Sequence, residues 1–218
     1  MNIASYIDHT LLKPTATLPE IENLCRQAIE YDFAAVCVPP LYVKKAAAIV
    51  APSKVNTATV IGFPFGYSAI EAKVAEIVLA IVDGANELDM VINISAIKNN
   101  DWAFIGNEIN TIMPIVKNRG TIIKVIIESG VLTDDEIIKC CDIYGAAGVD
   151  FVKTSTGYAE KGATVHAVQL MRTHLSDAVK IKASGGIKTY AFARELITAG
   201  ASRLGCSSSI QIVKECRE

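Results

Sequence analysis

With 218 residues, 51% of them hydrophobic, the chain has enough apolar material for one large core and does not demand a second domain. A formal charge of -2 and a pI near 6.0, with lysines scattered rather than run together, exclude the electrostatic footprint of a nucleic-acid or anionic-membrane binder. No apolar run reaches the ~20 residues of a membrane span, and Met1 to Tyr6 lacks the basic start and apolar stretch of a secretory signal, so the expectation is a cytoplasmic protein.

In chain order, strand-like and helix-like segments alternate with short connections to the end. Tyr6 to Thr10 reads as a first strand, and Thr17-Leu18-Pro19-Glu20 combines a capping box with proline in the first helical turn. Phe33 to Val38 is a buried strand closed by Pro39-Pro40, and Val43 to Val50 is a helix with Lys44 and Lys45 in solvent. Val55 to Ile61 is the third strand, and after the Gly62 to Gly66 loop Ser68 and Glu71 suggest a second capping box for a helix running to Val82. Glu87 to Ile92 is the fourth strand, and Asp101 to Lys117 is a helix that Pro114 is expected to kink or end early. Ile122 to Ile127 is the fifth, followed by a third capping box, Thr133 with Glu136, on a helix stopping near Gly145. Phe151 to Lys153, a helix over His166 to His174, a strand at Val179 to Lys182, a helix from Tyr190 to Thr198 and a last strand Ala201 to Gly205 complete the set.

Eight strands, each followed by a helix, in about the smallest length such a fold occupies, point to an α/β chain forming a single-domain (β/α)8 TIM barrel over residues 1–218. The rival is an open doubly wound sheet, which is disfavoured because Thr10-Leu11-Leu12-Lys13-Pro14 is no glycine-rich nucleotide turn.

In a barrel, function sits at the C-terminal strand ends, where Asp8, Cys37, Asp89, Lys124, Lys153 and Lys182 fall. Alternation puts Asp89 opposite Leu88 and Met90, either as a buried partner of a lysine or as a proton-handling group. Lys124 alternates likewise, with an ionic role as open to it as a chemical one. Cys37 reads as a barrel-core residue, because no histidine accompanies it, and Lys180 as solvated or structural. Lys153 and Lys182 end neighbouring strands, so each is expected to lower the other's pKa. Bringing a lysine from ~10.4 to ~7 takes roughly 4 kcal/mol of destabilisation of its cation, after which the amine can attack a carbonyl.

Small-residue loops follow the last three strands: Thr154 to Gly157, Ser184 to Gly186, and Gly205 to Ser208. Backbone N–H groups there, with a short helix at Ser207 to Val213, suit a phosphate. The six cysteines (Cys25, Cys37, Cys140, Cys141, Cys206, Cys216) show no C-x-x-C spacing and read as reduced thiols, and the three histidines are too dispersed for a metal set.

These residues carry a resemblance that runs nearly end to end. Its motifs are Tyr6 to Lys13, Gly62-Phe63-Pro64 with Gly66, Glu87 to Asn93, Lys124 to Glu128, Phe151 to Gly157 and Lys182 to Gly186. The chain resembles the deoxyribose-phosphate aldolases, a class I, Schiff-base family. The resemblance implies a TIM barrel that reversibly cleaves 2-deoxy-D-ribose 5-phosphate to glyceraldehyde 3-phosphate and acetaldehyde without a metal or other cofactor. It implies a Schiff base on Lys153, a pKa-lowering role for Lys182 and proton transfer by Asp89, through a water. Asp8, Thr10, Cys37 and Lys124 match positions lining the family's site, and Gly157, Gly185, Gly186, Gly205, Ser207 and Ser208 match its phosphate seat. The partners expected are a small phosphorylated sugar and aldehydes, with no nucleic acid and no membrane, and homo-oligomerisation is left open. Two departures stand out: Tyr158 replaces a basic residue of some members, with Lys188 as a substitute charge, and the chain ends Glu215-Cys216-Arg217-Glu218 where some members carry a terminal tyrosine. Other readings are a phosphosugar sensor without chemistry and a Schiff-base aldolase with a different donor.

Overall fold

The computed structural model describes residues 2–216, so Met1 and the terminal Arg217 and Glu218 of the sequence reading lie outside the described residues. Eight parallel strands close into a barrel in sequence order, with the last pairing to the first. They are β1 (Ile7–Thr10), β2 (Ala35–Val38), β3 (Asn56–Ile61), β4 (Glu87–Val91), β5 (Ile122–Ile126), β6 (Phe151–Lys153), β7 (Lys180–Ser184) and β8 (Arg203–Cys206). The helices outside are α1 (Leu18–Glu30), α2 (Val43–Val50), α3 (Ile70–Val82), α4 (Ile94–Lys98), α5 (Trp102–Lys117), α6 (Asp134–Ala147), α7 (Val165–His174), α8 (Tyr190–Thr198) and α9 (Ser209–Glu215). This is the (β/α)8 TIM barrel expected. None of the described helices is long and apolar enough to cross a membrane.

Period-2 alternation sorts each strand between two environments. Residues such as Ile7, Val36, Leu88, Val125, Val152 and Ile181 face outward into the large apolar layer shared with the helices. The barrel interior is different: at β2 and β3 a small apolar cluster of Ala35, Cys37, Ala58 and Val60 fills it, while the other strands contribute charged side chains. Capping boxes form as read at Thr17/Glu20 and Thr133/Glu136, and Gly148 in the left-handed region (φ 66°) stops α6 three residues beyond Gly145.

Several local expectations are corrected. Ser68 and Glu71 make no capping box, because α3 begins at Ile70 with Ala69 as its N-cap. Pro114 does not end α5 early: it lies in the last turn, where its missing N–H costs the single bond to the Asn110 carbonyl, and the helix continues to Lys117. The short α4, capped by the Asn93 side chain, was not anticipated. Tyr6 belongs to a 3₁₀ turn (Ile3–Tyr6) ahead of β1, and the last short helix starts at Ser209 rather than Ser207.

Candidate active site

Strand register brings the charged residues together. Lys153 pairs directly with Lys182 across the β6–β7 ladder, and Asp89 with Lys124 across β4–β5. The Asp89 carboxylate is the hub: Oδ1 accepts from Lys124 Nζ at 2.6 Å, and Oδ2 accepts from both Lys153 Nζ and Lys182 Nζ at 2.6 Å. Asp8 receives Lys182 on Oδ2 and the Arg203 guanidinium on Oδ1 at 2.7 Å. Glu87 pairs with Lys124 at 2.7 Å and with Arg203 at 3.1 Å. Asp8, Glu87, Asp89, Lys124 and Lys182 are fully buried, and Lys153 is 3% exposed.

Four cationic side chains thus face three carboxylates, and the charges balance when one lysine is neutral. The electrostatics favour Lys153 for that state. Burial pushes its pKa below the usual lysine value; Asp89 opposes the shift and the Lys182 charge adds to it. For Lys182, burial also favours the neutral amine, but Asp8 and Asp89 outweigh it and raise the pKa. The expectation that each lysine lowers the other's pKa is corrected in its outcome: Lys153 ends below the usual lysine value, whereas the two carboxylate partners of Lys182 hold it charged. A bound phosphate is not needed to keep Lys182 protonated. Asp89 stays ionised because Lys124, Lys153 and Lys182 overcome the cost of burying it, and Asp8 is depressed in the same way. Burial pushes the Cys37 thiol up to about 11, in keeping with a core residue. Lys180 is exposed, its ammonium 5.6 Å from the Phe151 ring centroid.

Above this network a cleft of about 370 Å³ opens at the C-terminal strand ends. Of the three lysines on Asp89, Lys153 lines it, and Lys124 and Lys182 lie beneath. Thr10, Gly157, Gly185, Gly186, Gly205 and Ser207 line it too. Asp8, Cys37 and Asp89 do not reach its surface, and Ser208 instead stands at the N-cap of α9. Gly157 (φ 89°) and Gly186 (φ 77°) adopt a backbone that side chains rarely take, and nothing lies within 4 Å of where a Cβ would project. At Gly205 a Cβ would lie 3.2 Å from Lys182 Cε, so the glycine makes room for the lysine stem.

Tyr158 closes one side of the cleft, its hydroxyl donating to the Leu12 carbonyl at 2.9 Å and its ring meeting Phe63 edge-on at 5.3 Å. Lys188 and Lys13 supply cations at the lining, Lys13 also pairing with Glu20 at 2.6 Å. The sequence reading missed Arg203 and Glu87 as members of the network. The signal was present, since Arg203 alternates with Gly205, and Glu87 with Asp89, on the inward face of their strands.

A buried amine at the floor of a cleft, beside a second amine held charged, is the arrangement of a Schiff-base enzyme. The model of the DeoC/LacD family aldolases matches residues 2–211. The chain belongs to that family. It is a class I aldolase, a carbon–carbon lyase. Among similar proteins, the deoxyribose-phosphate aldolase of Caldanaerobacter subterraneus is 48% identical over 100% of this chain and 95% of its own length. That of Thermococcus kodakarensis is 49% identical over 97% of the aldolase described here and 96% of its own. A solved structure described as QR15, an aldolase, superposes with a TM-score of 0.93 at 41% identity, covering 99% of this chain and 96% of that one. The Aeropyrum pernix enzyme, described as having a unique tetrameric structure, gives 0.92 at 33% identity, with 99% and 91% covered.

Proposed function

We propose that this aldolase reversibly cleaves 2-deoxy-D-ribose 5-phosphate to D-glyceraldehyde 3-phosphate and acetaldehyde, with Lys153 forming the Schiff base. The observation that carries the reading is that Lys153, the lysine depressed by burial and by the charge of Lys182, is also the one that borders the cleft. The neutral amine adds to the C1 aldehyde of the open-chain sugar, and loss of water leaves a protonated imine. Removal of the C3 hydroxyl proton then breaks the C2–C3 bond. Its electron pair enters the imine to form an enamine, and C3 leaves as the aldehyde of glyceraldehyde 3-phosphate. Protonation at C2 and hydrolysis of the imine release acetaldehyde and free Lys153. Because the imine is the electron sink, the chemistry needs no metal or other cofactor.

Asp89, 2.6 Å from Lys153 Nζ, takes the proton that the ammonium gives up and, through a water, handles that of the C3 hydroxyl. Lys124, Lys153 and Lys182 hold its pKa down, so a proton does not stay on it and passes on to the water. Lys182 supplies the fixed charge, while Asp8, Lys124 and Arg203 orient it. Gly157, Gly185, Gly186, Gly205 and Ser207 receive the phosphate with Lys188 as counter-charge, turning remote binding energy into orientation at C2 and C3. We read residues 1–218 as one cytoplasmic aldolase domain that assembles as a homo-oligomer, which light scattering tests. The activity test is a substrate panel in excess chelator. Cleavage of 2-deoxyribose 5-phosphate with acetaldehyde as the donor product supports the reading, and a preference for pyruvate or dihydroxyacetone as donor overturns it.

A further inference from the structure

Glu128 lies just beyond β5 and does not line the cleft, yet its surroundings are those of a residue with a task. It has a left-handed backbone (φ 53°, ψ 56°), which a residue with a side chain rarely adopts unless its neighbours hold it there. Its carboxylate is buried, at 3% exposure, and both oxygens turn to one residue of the neighbouring β6–α7 loop. The Thr156 N–H donates to Oε1 at 3.2 Å and to Oε2 at 3.3 Å, and the Thr156 hydroxyl donates to Oε2. Thr156 Oγ1 in turn accepts from the Tyr158 N–H at 3.0 Å, and the Ser129 N–H donates to the Thr154 carbonyl at 2.7 Å. Both residues flanking Gly157 are thereby tied, directly or through Thr156, to one buried carboxylate.

We propose that Glu128 is a positioning residue that holds Thr156 to Tyr158 in the shape that receives the phosphate end of the substrate. The assignment rests on the phosphosugar reading above. An ionised carboxylate is acceptor-only, so it commits the hydroxyl hydrogen of Thr156 and leaves the oxygen's lone pairs for the Tyr158 N–H. Lys153, three residues upstream, is held separately by the β6–β7 ladder and by Asp89. Losing Glu128 therefore loosens the loop around Gly157 before it disturbs the amine. Removing its charge also takes an anion from the neighbourhood of Lys153, a change that favours the neutral amine.

The test compares wild type, Glu128→Gln and Thr156→Val on 2-deoxyribose 5-phosphate and on 2-deoxyribose, and adds borohydride trapping with acetaldehyde. In Glu128→Gln one acceptor oxygen must serve both Thr156 donors. The expected result is a KM for the phosphorylated sugar raised about tenfold, with kcat/KM for the unphosphorylated sugar and the trapping rate within about threefold of wild type. Thr156→Val breaks the same link from the other side and is expected to show the same loss of preference for the phosphorylated sugar, so the assignment stays testable if Glu128→Gln does not fold. An equal loss on both sugars, or an unchanged KM, in either folded variant overturns the role of Glu128. A wild type that does not prefer the phosphorylated sugar overturns the phosphosugar reading and this assignment with it.

Discussion

Three buried lysines share Asp89, and one of them borders the cleft, so trapping chemistry has a defined outcome. Acetaldehyde with borohydride is expected to add one ethyl group, located by peptide mass analysis in the Phe151 to Gly157 segment; an adduct on Lys182 would reverse the two roles. Substituting Lys182 by methionine removes a charge that depresses Lys153, so the Lys153 pKa rises and the neutral fraction at pH 7 falls. Adduct formation should slow and its pH optimum should move upward, as a pH series of trapping rates will show. Asp89→Asn should impair turnover, and the structure adds a cost that the sequence alone does not suggest. The amide leaves three buried lysines short of their common partner, and removing one member of a buried ionic network costs about 3–5 kcal/mol. A denaturant titration at wild-type midpoint with turnover retained would make Asp89 dispensable on both counts.

Capping and loop backbone set what individual elements contribute. In α6 the Thr133 hydroxyl accepts from the Glu136 N–H at 3.3 Å and the Glu136 carboxylate accepts from the Thr133 N–H at 2.7 Å. Thr133→Ala should therefore cost about 1 kcal/mol, read as a lower midpoint in urea. Ser68→Ala should stay within about 0.5 kcal/mol of wild type, because α3 starts without its help. The two serve as a matched pair: equal losses would contradict the cap assignment. At the cleft, Gly186→Ala forces a methyl into a left-handed position and into the open space above it. It should raise the inhibition constant for inorganic phosphate about tenfold or more, measured against wild type by competition with the substrate.

For the molecule as a whole, the barrel interior is a charge network spread over β1 and β4 to β8, and its pH response follows from the shifts. Asp8 and Asp89 have folded pKa values well below the usual carboxylate value of about 4. Between those two limits the unfolded chain binds more protons than the folded one, so stability rises with pH. The contribution is fully present above about pH 4 to 5 and is lost as pH falls through the folded values. Glu108 and Glu128 are raised by burial and act with the opposite sign, losing stability as pH rises above the unfolded carboxylate pKa. Thermal melts from pH 7 to pH 2 should show a steep drop below about pH 4 that is shallower in Asp89→Asn; parallel curves would deny the network this role.

How much of this could be read beforehand depends on the range of the interaction. Alternation within a strand, capping pairs and small-residue loops are local, and they located eight strands, two of three proposed capping boxes, Asp89 and Lys124 on inward faces, and Lys153 and Lys182 at the ends of neighbouring strands. The Ser68 cap failed because α3 begins at Ile70 with Ala69 as its N-cap, which puts Ser68 one residue outside the capping position. The seat of Pro114, legal in a final turn, likewise depended on where α5 stops. Closure of the barrel decided the electrostatics. Asp8 and Arg203 are 195 residues apart in sequence and meet at 2.7 Å only because β8 pairs with β1. That closure gives Lys182 a second carboxylate beside Asp89 and leaves Lys153 with Asp89 alone, so the two similar lysines shift in opposite directions, Lys182 up and Lys153 down. The sequence by itself determined the fold and the candidate amines, since both rest on local pattern; which amine is held charged and which is depressed was decided by burial and long-range ion pairs that exist only in the folded barrel.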